Sequence, residues 1–288
     1  MFATASTARP PTPTHEGPIL EVDAVSISFG HQQVLREISI SVAADETLVI
    51  LGESGCGKTV LLKTMIGLVR PNAGDVRFEG RSLRGLGGAD LAFLRTKYGF
   101  VFQGAALFDS LTIFDNIAFP LREHTRIGSG EITEIIEGLL AEVGLPAGVA
   151  RKKPAELSGG MRKRAGIARA LALDPQLVLY DEPTTGLDPI MSDIVNELIL
   201  KVSSRPAVSS VVVTHDMRTA LKVADRIVML YPISRLRPDE RQIVFQGTPA
   251  DLDRCADPRV QQFVRGEAGA RLTEMRDERD GGHRGDEG

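Results

Sequence analysis

Only two cysteines, Cys56 and Cys255, occur in the 288 residues, and they stand far apart. No disulfide framework follows from that spacing, and no second cysteine or histidine accompanies Cys56 at metal-ligand distance, so the chain reads as one made for a reducing compartment. An excess of positive charge is lacking too. With 34 basic against 38 acidic residues the formal net charge is −4, which gives no broad field for gripping phosphates and sets nucleic acid aside as a partner. Long hydrophobic runs are missing as well: a spanning helix needs roughly 20 apolar residues in succession. The best apolar runs, Leu48–Leu51 and Leu177–Tyr180, are only of buried-strand length. Any membrane role must then come through a partner. Residues 1–18 hold no continuous apolar segment of the signal-peptide kind and are expected to form a disordered tail.

What is present suits one large domain, or a domain with an inserted subdomain, since 42% of the residues are hydrophobic. Alternation in Glu21–Phe29 and Ile38–Val42 predicts half-buried strands. The run Leu48-Val49-Ile50-Leu51 is continuously apolar and ends in glycine, the pattern of a strand buried on both faces of a mainly parallel sheet. A helix is expected from about Lys58 to Gly67, then an edge strand over Asp75–Glu79. Residues 104–171 carry mostly helical periodicity, notably Ile132, Ile135, Ile136, Leu139, Leu140 and Val143, which amphipathic packing explains. Parallel-sheet texture then returns, with strands over Gln176–Tyr180, Val208–Thr214 and Arg226–Tyr231 and helices over Met191–Val202 and Met217–Ala224. From Gly266 onward, glycine and alternating charge predict a flexible end, with a short partner-gripping helix over Ala268–Arg276 as the competing reading.

Gly52-Glu53-Ser54-Gly55-Cys56-Gly57-Lys58-Thr59 is a complete P-loop pattern lying between a predicted buried strand and a predicted helix, with Val60 following. The glycines let consecutive N–H groups curl around phosphate oxygens, and the helix start adds further unsatisfied donors. Lys58 is expected to reach the β- and γ-phosphates and the Thr59 hydroxyl to ligate Mg²⁺. Cys56 is expected to be made reactive by the helix dipole and Lys58. The apolar run Leu177–Tyr180 delivers Asp181 and Glu182 to its C-terminal end, where ligands collect in an open α/β sheet. Asp181 is then a metal candidate, and Glu182 a candidate to orient or deprotonate water. Thr214-His215-Asp216 ends a later strand in the same way. A histidine there serves structure as readily as chemistry, but beside Asp181 and Glu182 it becomes a γ-phosphate candidate. Leu157-Ser158-Gly159-Gly160, followed by the basic Arg162-Lys163-Arg164, reads as a capped helix start and as a second anion site. Two anion sites with one nucleotide per P-loop fit a head-to-tail pair, each chain lending Ser158 to the other's ATP.

These motifs resemble those of ATP-binding cassette ATPases: the Leu157-Ser158-Gly159-Gly160 signature, Gln103 ending Phe100-Val101-Phe102, Gly186-Leu187-Asp188, and His215, in family order across residues 19–247. The resemblance implies an α/β fold, a RecA-like P-loop NTPase core with an antiparallel β subdomain and an α-helical subdomain inserted at about 104–171. Residues 248–288 then form a C-terminal extension. It also implies ATP and Mg²⁺ as ligands. Gln103 would sense the metal and the attacking water, Asp188 would link two sites of a homodimer, and Phe29 would pack on adenine, with Ser158, Gly159 and Gly160 reaching the partner's nucleotide. Read without the family, Phe29 is equally a core phenylalanine.

A narrower resemblance lies in residues 104–109 (GAALFD) and 114–125 (FDNIAFPLREHT), which are similar to ATPases of Mla and MCE-associated lipid transport systems. It implies an ATPase peripheral to the cytoplasmic face of the inner membrane, bound to a pair of integral permeases, with STAS-domain and MCE-domain proteins as further partners. Transport of a polar solute, a non-transport cassette role in repair or translation, and a purely regulatory nucleotide module are the alternatives. Long coiled-coil insertions and paired cassettes are absent, which disfavours the second; Glu182 and His215 together disfavour the third.

Overall fold

The computed structural model describes residues 17–267, so the tail expected over 1–18 lies almost wholly outside it, as does Ala268–Arg276. In chain order the elements are β1 (Leu20–Phe29), β2 (Gln32–Val42), β3 (Thr47–Gly52), α1 (Lys58–Met65), β4 (Ala73–Phe78), β5 (Arg81–Ser82), α2 (Gly88–Arg95) and β6 (Tyr98–Val101). There follow α3 (Ile113–His124), α4 (Ser129–Glu142), α5 (Gly159–Leu171), β7 (Leu177–Asp181), α6 (Pro189–Ser203), β8 (Ser209–Thr214), α7 (Met217–Val223), β9 (Arg226–Leu230), β10 (Ile243–Gly247), α8 (Pro249–Leu252) and α9 (Pro258–Arg265).

Six strands form the central sheet in the order β10-β9-β3-β8-β7-β6, parallel throughout except for β10. Every residue of β3, β7 and β8 is buried, as the continuous apolar runs of β3 and β7 predict. Alternate residues feed two separate cores. Val49, Leu51, Val178, Tyr180 and Val212 face the helices α3 to α6, while Leu48, Ile50, Leu177, Leu179, Val211 and Val213 face α1 and a second sheet. That second sheet is antiparallel, in the order β2-β1-β4-β5. The fold is therefore a P-loop NTPase-like α/β core with an antiparallel β layer and a helical insertion.

The strand expected at an edge over Asp75–Glu79 is interior. β4 lies between β1 and β5, because the two-residue β5, too short to carry a periodic signal, pairs onto its outer side. α2 was also not expected, its eight residues opening on glycines. Gln103 stands two residues past the end of β6, the edge strand of the sheet. Across that edge strand lies α5, close enough that a Cβ on Gly99 would come within 2.6 Å of the Ala170 carbonyl oxygen. After β10, α8 and α9 fold back, burying Leu252 and Val260 in the helical-side core. Among the described residues no helix is long and apolar enough to cross a membrane.

Candidate active site

Parallel pairing brings several strand ends to one edge of the sheet. Leu51 of β3 stands level with Thr214 of β8, Asp181 of β7 with Val213, and Val101 of β6 with Tyr180. The loops that leave these ends therefore meet. Between them opens a cleft of about 410 Å³ lined by Val34, Ser54, Gly55, Gly57, Lys58, Thr59, Val60, Gln103, Glu182, Thr185 and His215. Nine of these were expected; Val34 and Thr185 were not.

The phosphate loop leaves β3 and enters α1 through Gly57, whose φ of +94° suits glycine, and where a Cβ would stand 2.8 Å from Leu35 Cδ2 and 3.0 Å from Val34 O. No side chain caps α1, so its first N–H groups remain available to an anion. Lys58 is buried, its Nζ donating to Gly52 O and Glu53 O at 2.8 Å each and lying 3.5 Å from Glu182 Oε1. Glu53 points away from the cleft to pair with Arg235 at 2.8 Å. Cys56 corrects an expectation. It is 1% exposed beneath the loop, and burial raises its thiol pKa more than the Lys58 charge lowers it.

Next to Lys58 on α1, the Thr59 hydroxyl donates to Asp181 Oδ1 at 2.8 Å. Burial raises the Asp181 carboxyl pKa, with the Glu182 charge adding to the effect and the Thr59 hydrogen bond opposing it. A buried carboxylate beside a hydroxyl is a hard-oxygen donor pair that fits Mg²⁺, whose remaining positions water and phosphate oxygens commonly fill. Glu182 is held from several sides. Its N–H donates to Val213 O at 2.9 Å, its Oε2 accepts from the Thr185 hydroxyl at 3.0 Å, and His215 Nδ1 lies 2.8 Å from the same oxygen. The backbone there is left-handed, φ +49°, unusual for a residue with a Cβ. A carboxylate fixed between an ammonium and an imidazole at the mouth of a phosphate loop is equipped to orient a water against a phosphoryl group.

Other expected residues stand apart from this cleft. Phe29, at the end of β1, is 53% exposed and free to stack on a planar ring. Ser158 caps α5, its Oγ accepting from Met161 N at 3.3 Å, with Ser158 and Gly159 exposed and Gly160 buried against Met191. Asp188 caps α6 by accepting from Ile190 N at 3.0 Å and Met191 N at 2.9 Å. The basic triplet after the signature does not make a solvent patch. Arg162 donates to Leu157 O at 2.6 Å, Arg164 to Gly144 O at 2.7 Å, and Lys163 turns inward. Sequence reasoning also missed Gln242, whose buried amide donates to Cys56 O at 3.0 Å and Val34 O at 3.2 Å and accepts from Arg36 N at 2.9 Å. No local signal could have found it, since it lies 186 residues from Cys56.

Comparison with known proteins agrees with this geometry. The ABC transporter family model matches residues 35–185. The probable ribonucleotide transport ATP-binding protein mkl of Mycobacterium tuberculosis is 40% identical over 250 residues, covering 87% of this chain and 67% of the relative. The intermembrane phospholipid transport system ATP-binding protein MlaF of Escherichia coli K12 is 36% identical over 248 residues, 86% of this chain and 89% of the relative. A dimeric ATP-binding cassette solved in a post-hydrolysis state with ADP and Pi superposes with a TM-score of 0.70 at 28% identity, covering 80% of this chain and 98% of that one. The chain belongs to the ABC transporter family. Within it, this is an ATP-binding, ATP-hydrolysing subunit related to the MlaF-type ATPases.

Proposed function

We propose that this chain energises the movement of phospholipid or another envelope lipid through a membrane permease, working as one of two identical ATPase subunits that share two ATP molecules. The observation that carries the ATPase part is the convergence of Lys58, Thr59, Glu182 and His215 on one cleft, with Asp181 bonded to Thr59. Lys58 and the loop N–H groups bind the phosphates, and Phe29, at the end of β1, stacks on the adenine. Thr59 and Asp181, with Gln103 in the same cleft, are the residues that would hold Mg²⁺, which when bound neutralises charge on phosphate oxygens. Glu182 orients the attacking water and takes its proton, and His215 fixes that carboxylate and faces the γ-phosphate. Ser158 and Gly159 are exposed and therefore accessible to a second chain's nucleotide, Gly160 is buried beside them against Met191, and Asp188 lies on the same approach. Pairing of this kind is supported by the dimeric relative.

Glu182→Gln tests the chemistry. Turnover of Mg-ATP should fall at least about 100-fold, the usual scale for losing a general base, with ATP affinity retained. Hydrolysis near the parental rate would remove Glu182 from the role.

The lipid reading rests on residues 104–125 and on the MlaF relatives. Phe108 and Phe119 there form an exposed aromatic pair with ring centroids 5.2 Å apart, a surface suited to a permease loop at the cytoplasmic face of the inner membrane. A polar-solute importer is the second reading, favoured by the name of the mycobacterial relative. Extraction of the tagged protein from its own membranes separates them. Recovery of an integral permease with STAS-domain or MCE-domain proteins and phospholipid supports the first; recovery with a solute-binding protein and no lipid overturns it.

A further inference from the structure

One buried cation near the hydrolytic centre has no part in the chemistry above. Lys163 is 7% exposed, on the second turn of α5, five residues beyond the Ser158 cap. Its Nζ donates to the backbone carbonyl of Glu182 at 3.1 Å. That carbonyl also accepts from Thr185 N at 3.3 Å, so the ammonium and one backbone amide together fix the peptide that leaves Glu182. The left-handed Glu182 backbone makes this grip matter. A non-glycine residue at φ +49° is strained and keeps that geometry only where its surroundings enforce it. If the peptide turns, the carboxylate leaves His215 and Lys58.

We infer that Lys163 is a positioning residue that orients the Glu182 carboxylate through its backbone carbonyl, and so ties the helix that begins at Ser158 to the hydrolytic centre of the same chain. The link has a direction that a helix cap alone lacks. Ser158 faces outward, toward a second chain's nucleotide, while Lys163 faces inward, toward its own chain's Glu182. Displacement of α5 on engagement of Ser158 is therefore transmitted to Glu182 through a single long side chain. Burial lowers the Lys163 pKa, and the nearby Glu182 and Asp181 charges oppose that shift only in part. A neutral side chain of similar length fills the same space without holding the carbonyl.

The inference rests on the assignment of Glu182 made above, and the test keeps the two apart. Lys163→Met, Lys163→Arg and Glu182→Gln are compared with the parent as full chains in steady-state Mg-ATP hydrolysis. Lys163→Met should lower kcat at least about tenfold with KM within about twofold, and Lys163→Arg, which keeps a charged donor, should recover kcat to within about threefold of the parent. If Lys163→Met does not fold, Lys163→Leu, which also lacks a donor, replaces it and is judged by the same split and the same recovery. Parental turnover in the neutral variant, a parallel change of kcat and KM, or an arginine variant no better than the neutral one each overturns the inference. An inactive Glu182→Gln beside a fully active Lys163→Met removes the role of Lys163 alone. A fully active Glu182→Gln removes the premise as well.

Discussion

Cys56 shows how far a single residue can depart from what its neighbours in sequence suggest. Beside Lys58 and a helix start it has the setting of an activated thiol, yet it is 1% exposed and burial raises its pKa. A thiol whose pKa lies above its usual value is mostly protonated at neutral pH, and the thiolate is the reactive form. In a Cys255→Ser background, labelling of the native protein by a disulfide reagent at pH 7 should be at least about tenfold slower than after denaturation. Equal rates would show the thiol to be open and activated. Lys58, Thr59, Asp181, Glu182 and His215 were legible because phosphate chemistry restricts both residue type and spacing. The depth of Cys56 was not, since a loop between strand and helix carries no periodicity to reveal which side chains point inward. The left-handed backbone of Glu182 was equally hidden, because glutamate gives no sign of it.

Helix α5 is the element on which most of the site's support converges. Ser158 caps its start, Lys163 holds Glu182 O, and Arg169 near its end donates to Ala106 O at 2.7 Å and Ala105 O at 2.9 Å. Those two alanines, just past Gln103, are both left-handed, at φ +47° and +62°. Arg169→Ala should cost about 1–3 kcal/mol in urea unfolding, because two carbonyls of a strained turn lose their guanidinium partner. A loss under about 0.5 kcal/mol would show the turn to be held by other contacts. The long elements could be read directly. β3 and β7 announced themselves by unbroken apolar runs and α4 by its 3.6-residue period, with boundaries within a residue or two for most. β5 and α2 could not be read, for pairing and packing by neighbours, and not their own composition, put them where they are.

At the scale of the molecule, the antiparallel layer and the nucleotide loop are joined by one amide. Gln242, 1% exposed, bonds Arg36 N and Val34 O of β2 and Cys56 O of the phosphate loop. Gln242→Leu keeps much of the volume but leaves these backbone groups without that partner, so stability should fall by about 1–3 kcal/mol in denaturant titration. An unchanged midpoint would show that water replaces the amide without cost. Such contacts between distant parts of the chain are what one sequence read alone does not disclose. The close approach of Gly99 to Ala170 has a mechanical meaning of its own. Backbone meets backbone there, with no side chain between to yield, so the end of α5 is pinned against the sheet like a lever at its fulcrum. Twelve residues back along the helix, roughly 18 Å away, the other end carries Ser158, and a swing of about 10° moves that tip by about 3 Å. That travel is the span of one hydrogen bond, enough to make or break a contact with a neighbouring chain's phosphate.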